Sequence, residues 1–152
     1  MNLRDRLQAA LKDAMRSKEA ARLSTLRLIN AAIKDREIAL RGEPGDGEVG
    51  EAEILSILGR LVKQRHESAR AYEEGGRLEL AEKELNEIKV IEDFLPRQLD
   101  AGEVEAAIQA AIAETGATTI RDMGRVMAAL KAKHTGQMDF GAVGPAVKDR
   151  LG

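Results

Sequence analysis

Few residues of this chain combine the types and the spacing that catalysis requires. The two histidines, His66 and His134, are far apart in sequence, and neither lies in a metal-binding motif. The glycine-rich segment 42–50 lacks the lysine of a phosphate-binding loop and follows no predicted strand. No serine has the flanking residues of an activated nucleophile. We therefore expect no catalytic residue, no metal ion and no cofactor, and we predict that the chain is not catalytic by itself.

The basic residues form a more informative pattern. Arg27, Lys34 and Arg41 recur every seven residues in a predicted helix, so their side chains project within about 40° of one another. The next predicted helix adds Arg60, Lys63 and Arg70. A line of cations can follow the phosphates of a nucleic acid, but a solvated helix face has a similar pattern. Both interpretations stay open, and the candidate nucleic-acid-binding residues are Arg27, Lys34, Arg41, Lys63 and Arg70.

Arg65 differs from these cations because it falls inside the apolar stripe of its predicted helix, between Leu58, Leu61 and Tyr72. A guanidinium group in that position needs a partner. One interpretation is a structural ion pair, for example with a glutamate of the acidic segment that follows. The other is a pocket for an anionic ligand. The sequence leaves both open.

The composition excludes several classes of protein. Of the 152 residues, 43% are hydrophobic and only 2% are aromatic, so the core must be aliphatic and base stacking on aromatic platforms is not expected. With 24 basic and 26 acidic residues, the net charge of -2 does not by itself indicate nucleic acid. The absence of cysteine excludes disulfides and thiolate chemistry and predicts a cytoplasmic protein. No uncharged stretch approaches the length of a membrane span.

Apolar residues recur with the helical period along the whole chain, and no segment shows the alternation of a strand. The predicted fold class is therefore all-α. The segment Phe94–Leu99 interrupts the pattern at Pro96, which cannot donate a backbone hydrogen bond, and we place a domain boundary there. The sequence thus predicts an N-terminal four-helix domain over residues 1–95 and a small C-terminal three-helix domain over residues 96–152.

The helical period also predicts which positions are buried and where helices begin. The expected inward positions of the fourth helix are Leu78, Ala81, Leu85 and Ile88. Those of the sixth helix are Ile120, Met123, Met127 and Leu130. Beside them, Gly124 and Ala128 would allow a neighbouring helix to approach closely. The expected N-caps of the last three helices are Asp100, then Thr118 or Thr119, then Asp139.

Several linked motifs, spread over nearly the whole chain, carry a resemblance to a known family. They include Leu26-Arg-Leu-Ile29, Lys63-Gln-Arg-His-Glu-Ser68, Gly75-Gly-Arg77, Phe94-Leu-Pro-Arg-Gln-Leu99 and Met123-Gly-Arg-Val-Met127. In this order and spacing, the motifs resemble those of the small bacterial YqeY proteins.

The resemblance implies a four-helix domain joined to a three-helix domain, as in the tail of the B subunit of the tRNA-dependent amidotransferase. In that enzyme the tail is associated with tRNA binding, while the amide transfer takes place elsewhere in the complex. The resemblance therefore implies a tRNA-binding protein related to glutamine-dependent carbon–nitrogen ligases. Two alternatives remain: a protein-interaction module that docks through the Met123 and Met127 region or segment 42–50, and an accessory factor of a ligase with glutamine as amido-N-donor.

Overall fold

The computed structural model describes residues 2–45 and 48–152. In this part of the chain the regular structure is entirely helical, which confirms the all-α prediction. The α-helices are α1 (Leu3–Arg16), α2 (Ala20–Leu40), α3 (Glu51–Glu74), α4 (Leu78–Glu92), α5 (Ala101–Thr115), α6 (Met123–His134) and α7 (Phe140–Leu151). A single 3-10 turn, Ile120–Asp122, directly precedes α6. The helices divide into two compact units, Met1–Leu95 and Pro96–Gly152.

The N-terminal unit has an aliphatic core to which all four of its helices contribute. The largest side chains fully buried in it are Ile29, Leu58 and Ile91. Val49, which precedes α3, is also buried, and its carbonyl accepts a hydrogen bond from Arg4 Nη2 at 3.2 Å. The glycine-rich segment 42–50 lies outside the helices where it is described, but its residues Asp46 and Gly47 lie outside the described residues. The rest of the segment thus includes one residue that belongs to the core.

Helix α4 corrects part of the sequence prediction. Ala81 and Ile88 are buried as expected, but Leu78 and Leu85 are exposed, Leu78 at 67% of its surface. The buried face of α4 is centred nearer to Ile91, which lies about 120° around the helix from Leu85. The side of α4 that contains Ile91 therefore faces the core, and Leu78 and Leu85 lie on the outer side of the helix.

The C-terminal unit is built around Ile108, Val126, Leu130 and Val147, which are almost fully buried. Its first helix, α5, begins with the predicted capping box: Asp100 accepts from the Glu103 N–H at 2.8 Å, and Glu103 accepts from the Asp100 N–H at 3.2 Å. Asp139 caps α7 by accepting from the Gly141 N–H at 2.9 Å. Both predicted aspartate caps are confirmed.

The start of α6 differs from the prediction. Ile120 lies in the 3-10 turn and is 45% exposed, while Val126, which was not among the predicted inward residues, is fully buried. Gly124 and Ala128 face solvent, and a Cβ added at Gly124 would meet no atom within 4 Å, so the predicted close helix approach is wrong. The tight 3-10 turn has three rather than 3.6 residues per turn, so the helical period does not extend from α6 back to Ile120.

Candidate nucleic-acid interface

Helix α2 carries cations in two different environments. Two of them are tied into the N-terminal unit: Arg22 Nη1 lies 3.0 Å from Asp93 Oδ2, and Arg36 Nε donates to Glu53 Oε1. The hydrogen bond and the charge of Glu53 raise the pKa of Arg36 above its usual value. These two guanidinium groups therefore serve the packing of α2 against other helices.

The other cations are the three predicted from the seven-residue spacing: Arg27 and Lys34 of α2, and Arg41, the residue that caps the end of α2. Arg27, Lys34 and Arg41 are all exposed, and no ion-pair partner for them lies in the described part of the chain. A helical rise of 1.5 Å per residue places Arg27 and Arg41 about 21 Å apart along the axis, with Lys34 midway. We call these three residues the basic face. It is a row of cations along one side of α2 and its C-cap, exposed to solvent.

A groove between α1 and α2 runs beside the basic face. Gln8 of α1 and Asn30 of α2 line it, above the apolar side chains of Leu7 and Leu26. At one end, Arg4 Nη2 donates to Glu37 Oε1 at 2.8 Å, which ties the two helices together. Asn30 lies three residues after Arg27, and this spacing is the signal by which sequence reasoning could have placed it beside the basic face.

Lys63 and Arg70, the candidates on α3, are also exposed. They share one side of that helix, because seven residues separate them. Helix α3 packs most extensively against α4 and much less against α2. The structure thus places the five predicted residues in two groups, one along α2 and its C-cap and the other on α3.

The structure contains the ion pair that was one of the two interpretations of Arg65. Its Nε donates to Glu87 Oε2 of α4 at 2.9 Å, and its Nη1 donates to the Leu61 carbonyl at 3.1 Å. Only 13% of the Arg65 side chain and 17% of the Glu87 side chain are exposed. Arg65 is therefore a contact between α3 and α4.

The described residues show no arrangement typical of catalysis. Among them, no group of three or more histidine, aspartate or glutamate side chains could hold a metal ion. His66 is exposed, and His134 Nδ1 lies 3.0 Å from Gln137 Oε1 at the end of α6. None of the helices in residues 2–45 and 48–152 has both the length and the apolar composition of a membrane span.

The region of α6 around Met123 and Met127, considered above as a docking surface for a protein partner, is only partly exposed. Met123 and Met127 are half-buried and pack against the core of the C-terminal unit. Met123 Cε approaches to within 3.7 Å of where a side chain at Gly144 of α7 would begin. These methionines thus fill the space between helices rather than forming an open apolar surface.

Comparison with known proteins identifies similar sequences. The model of the family described as "Yqey-like protein" matches residues 4–151, which confirms the resemblance seen in the motifs. Similar curated proteins are named "Altered inheritance of mitochondria protein 41, mitochondrial". The one from Kluyveromyces lactis is 33% identical over 88 residues, which are 58% of this chain and 45% of the relative. The one from Clavispora lusitaniae is 36% identical over 89 residues, 59% of this chain and 49% of the relative.

These relatives correct the predicted location. The matches span about half the length of each curated relative, and the relatives are named as mitochondrial proteins. That finding contradicts the cytoplasmic location predicted from the cysteine-free composition. The physical reason is that cysteine content reports only on disulfide formation, so it does not distinguish the cytosol from another reducing compartment.

Proposed function

Because this chain belongs to the YqeY-like family, we propose that it binds tRNA and that its basic face contacts the phosphate backbone. The resemblance of this family to the tRNA-associated tail of an amidotransferase subunit motivates the choice of tRNA. The charge distribution supports it, because residues 1–42 carry ten basic and five acidic side chains, whereas residues 73–93 carry three and eight. The net charge of -2 is thus the sum of a basic N-terminal region and more acidic segments elsewhere in the chain.

The contrast between the two kinds of cation on α2 carries the proposal. Arg22 and Arg36 have carboxylate partners within the unit that already neutralise their charge, so a phosphate would compete with those carboxylates. Arg27, Lys34 and Arg41 have no such partner among the described residues. They can therefore neutralise phosphates without losing an existing contact, and the release of condensed counterions favours binding.

Lys63 and Arg70 of α3 make up a second set of phosphate contacts in this proposal. They are exposed on a helix that packs less against α2 than against α4. A compact duplex on the basic face alone would not need them, whereas a large folded RNA has phosphates on several sides. Replacing them by glutamine should weaken the binding of whole tRNA more than the binding of a short duplex.

The test is a salt series with the triple variant Arg27→Gln, Lys34→Gln, Arg41→Gln. Each phosphate neutralised on a duplex contributes about -0.9 to the slope of log K against log salt concentration. The variant should therefore reduce the magnitude of the slope by about two to three and weaken binding to all tRNAs alike, because phosphate contacts carry no sequence information. Filter binding of bulk tRNA across the series measures both quantities.

A matched control separates the basic face from net charge. Arg121, Lys131 and Lys148 of the C-terminal unit are also exposed, and their replacement by glutamine changes the net charge equally. The control variant should keep the slope of the wild type. Equal losses in the two variants would show that only total charge matters, and failure of the wild type to bind tRNA at low salt would overturn the proposal.

A further inference from the structure

Two carboxamide side chains lie beside the basic face and have no role in the packing described above. Gln8 and Asn30 face the same groove between α1 and α2. Gln8 is exposed and Asn30 half-buried, and neither amide has a hydrogen-bond partner in the described part of the chain. Each amide offers two N–H donors and one oxygen acceptor. The groove therefore presents unused donors and acceptors to solvent.

The position of Asn30 relates these amides to the proposed phosphate contacts. It lies three residues after Arg27 and four before Lys34, so its Cβ is about 5–6 Å from theirs on the same helix. A nucleic-acid backbone held by Arg27 and Lys34 would thus pass directly over the Asn30 amide. The group nearest to a phosphate in such a backbone is the sugar.

The aromatic residues show which form of nucleic acid this surface suits. Phe94 is buried beneath Arg6, whose guanidinium carbon lies 5.6 Å from the ring centre, and Phe140 packs into the C-terminal core. Tyr72 is half-buried on α3. None of the three is on α1 or α2, so the basic face has no platform on which unstacked bases could lie. The surface is therefore suited to a double helix, whose bases stay stacked.

Building on the proposed function, we infer that Gln8 and Asn30 contact ribose 2′-hydroxyls of a double-helical RNA segment whose phosphates lie on the basic face. The minor groove of A-form RNA is wide and shallow and displays its 2′-hydroxyl groups. Each hydroxyl both donates and accepts, as does each amide, so the two groups are complementary. Gln8 and Asn30 thus make the surface selective for RNA over DNA, while the cations supply most of the affinity.

The test compares three duplexes of one sequence: RNA, 2′-O-methyl RNA and DNA. The methylated duplex keeps the A-form but loses the 2′-hydroxyl donor, so it separates hydroxyl recognition from recognition of helix shape. The wild type should bind the RNA duplex about tenfold more tightly than the methylated one, the effect of two hydrogen bonds between neutral groups. The double variant Gln8→Ala, Asn30→Ala should lose this preference, yet keep the salt slope, because amides carry no charge.

The matched control is Asn86→Ala, Gln109→Ala, which removes the same two side-chain types from exposed positions on α4 and α5. It should keep the wild-type preference, and circular dichroism should show full helicity for both double variants. Equal binding of the RNA and methylated duplexes by the wild type would overturn this inference, as would a preference that survives in Gln8→Ala, Asn30→Ala, or tighter binding of single strands. In all three cases the salt-dependent binding of tRNA to the basic face would still support the proposed function. A wild type that binds no RNA at low salt would overturn both.

Discussion

Both units of the molecule have ion pairs between helices, but they differ in the local contacts at the starts of their helices. In the N-terminal unit the ion pairs join residues that are far apart in sequence: Arg22 pairs with Asp93 across 71 residues, and Arg4 with Glu37 across 33. The C-terminal unit also has pairs between helices, Glu114 with Lys133 and Glu105 with Arg150. It adds local pairs: Arg97 pairs with Glu103 six residues later, and Asp122 with Arg125 three residues later. Long-range pairs connect helices, whereas these short-range pairs stabilise the segments in which helices begin.

The helix starts differ in their caps. Glu19, Gly50 and Arg77 precede α2, α3 and α4, and none of these N-cap residues makes a side-chain cap hydrogen bond within the described structure. Asp100 and Asp139, before α5 and α7, both do, and so does Asn2 before α1. Helices α2, α3 and α4 thus depend mainly on packing, while α1, α5 and α7 also have a local cap. Helix α2 carries cations in two roles, so only its contacts separate the paired Arg22 and Arg36 from the exposed residues of the basic face.

Matched core truncations test whether the two units are energetically separate, as we propose. Leu58 and Leu130 are both almost fully buried, one in each unit. We expect Leu58→Ala and Leu130→Ala each to destabilise its own unit by about 3 kcal/mol, through lost burial and a residual cavity. Amide hydrogen exchange should show faster opening only in α1–α4 for the first variant and only in α5–α7 for the second.

Leu78→Ala is the control for these truncations, because Leu78 is an exposed leucine of α4. It should leave the exchange rates of both units close to those of the wild type. If either core variant accelerated exchange equally in all helices, the chain would unfold as one cooperative body, and the proposed division into domains would be wrong.

The next largest expected effect on the free energy of unfolding comes from removing one residue of an ion pair. Arg65→Ala would leave Glu87 without its partner in a largely buried position, so we expect a loss of about 2–3 kcal/mol in the free energy of unfolding. Arg97→Ala should cost much less, because 68% of the Arg97 side chain is exposed and water replaces the lost contact. Urea unfolding of the two variants measures the difference.

A second variant of the Arg65–Glu87 pair shows why Arg65→Ala is unstable. It separates the loss of attraction between the two charges from the cost of leaving Glu87 buried without a partner. Arg65→Met combined with Glu87→Leu removes both charges and should be more stable than Arg65→Ala alone. A double variant as unstable as the single one would mean that the pair itself contributes net stability. Equal losses for Arg65→Ala and Arg97→Ala would remove the distinction between the largely buried pair and the exposed one.

Acid titration should give the smallest effect, and it concerns the C-terminal unit. The hydrogen bond from Arg97, with that from the Asp100 N–H, lowers the pKa of Glu103 to about 2. The N–H groups of Thr118 and Thr119, with Arg125, lower the pKa of Asp122 to about 2. Because both pKa values are lower in the folded state, the stabilisation is complete above about pH 4.5 and is lost as the pH falls toward 2.

Hydrogen exchange at the starts of α5 and α6, measured from pH 5 to pH 2 and corrected for the intrinsic rate, checks this dependence. The variant Glu103→Gln, Asp122→Asn cannot lose a charge at these positions and should show a flatter profile. An unchanged pH profile in that variant would mean that other carboxylates control the acid response of the unit.

Much of the fold could be predicted because its signals are local. The caps at Asp100 and Asp139 depend on residues a few positions away, and the all-α class follows from a period that every helix shows. The positions that prediction placed wrongly, such as Leu85 and Ile120, are those where the periodic pattern alone did not fix how a helix faces the core. The pairing of Arg65 was predicted as one of two alternatives, but its specific partner, Glu87, was not.

The sequence by itself determined the helices, the family and the alignment of Arg27, Lys34 and Arg41, because the helical period relates residues of one helix to one another. Only the tertiary structure decided that Arg22 and Arg36 are paired while those three cations are open to solvent. It also decided that Gln8 and Asn30 share a groove. The physical reason is that the period fixes angles within a helix, whereas the direction in which the helix faces depends on packing against chain segments far away in sequence.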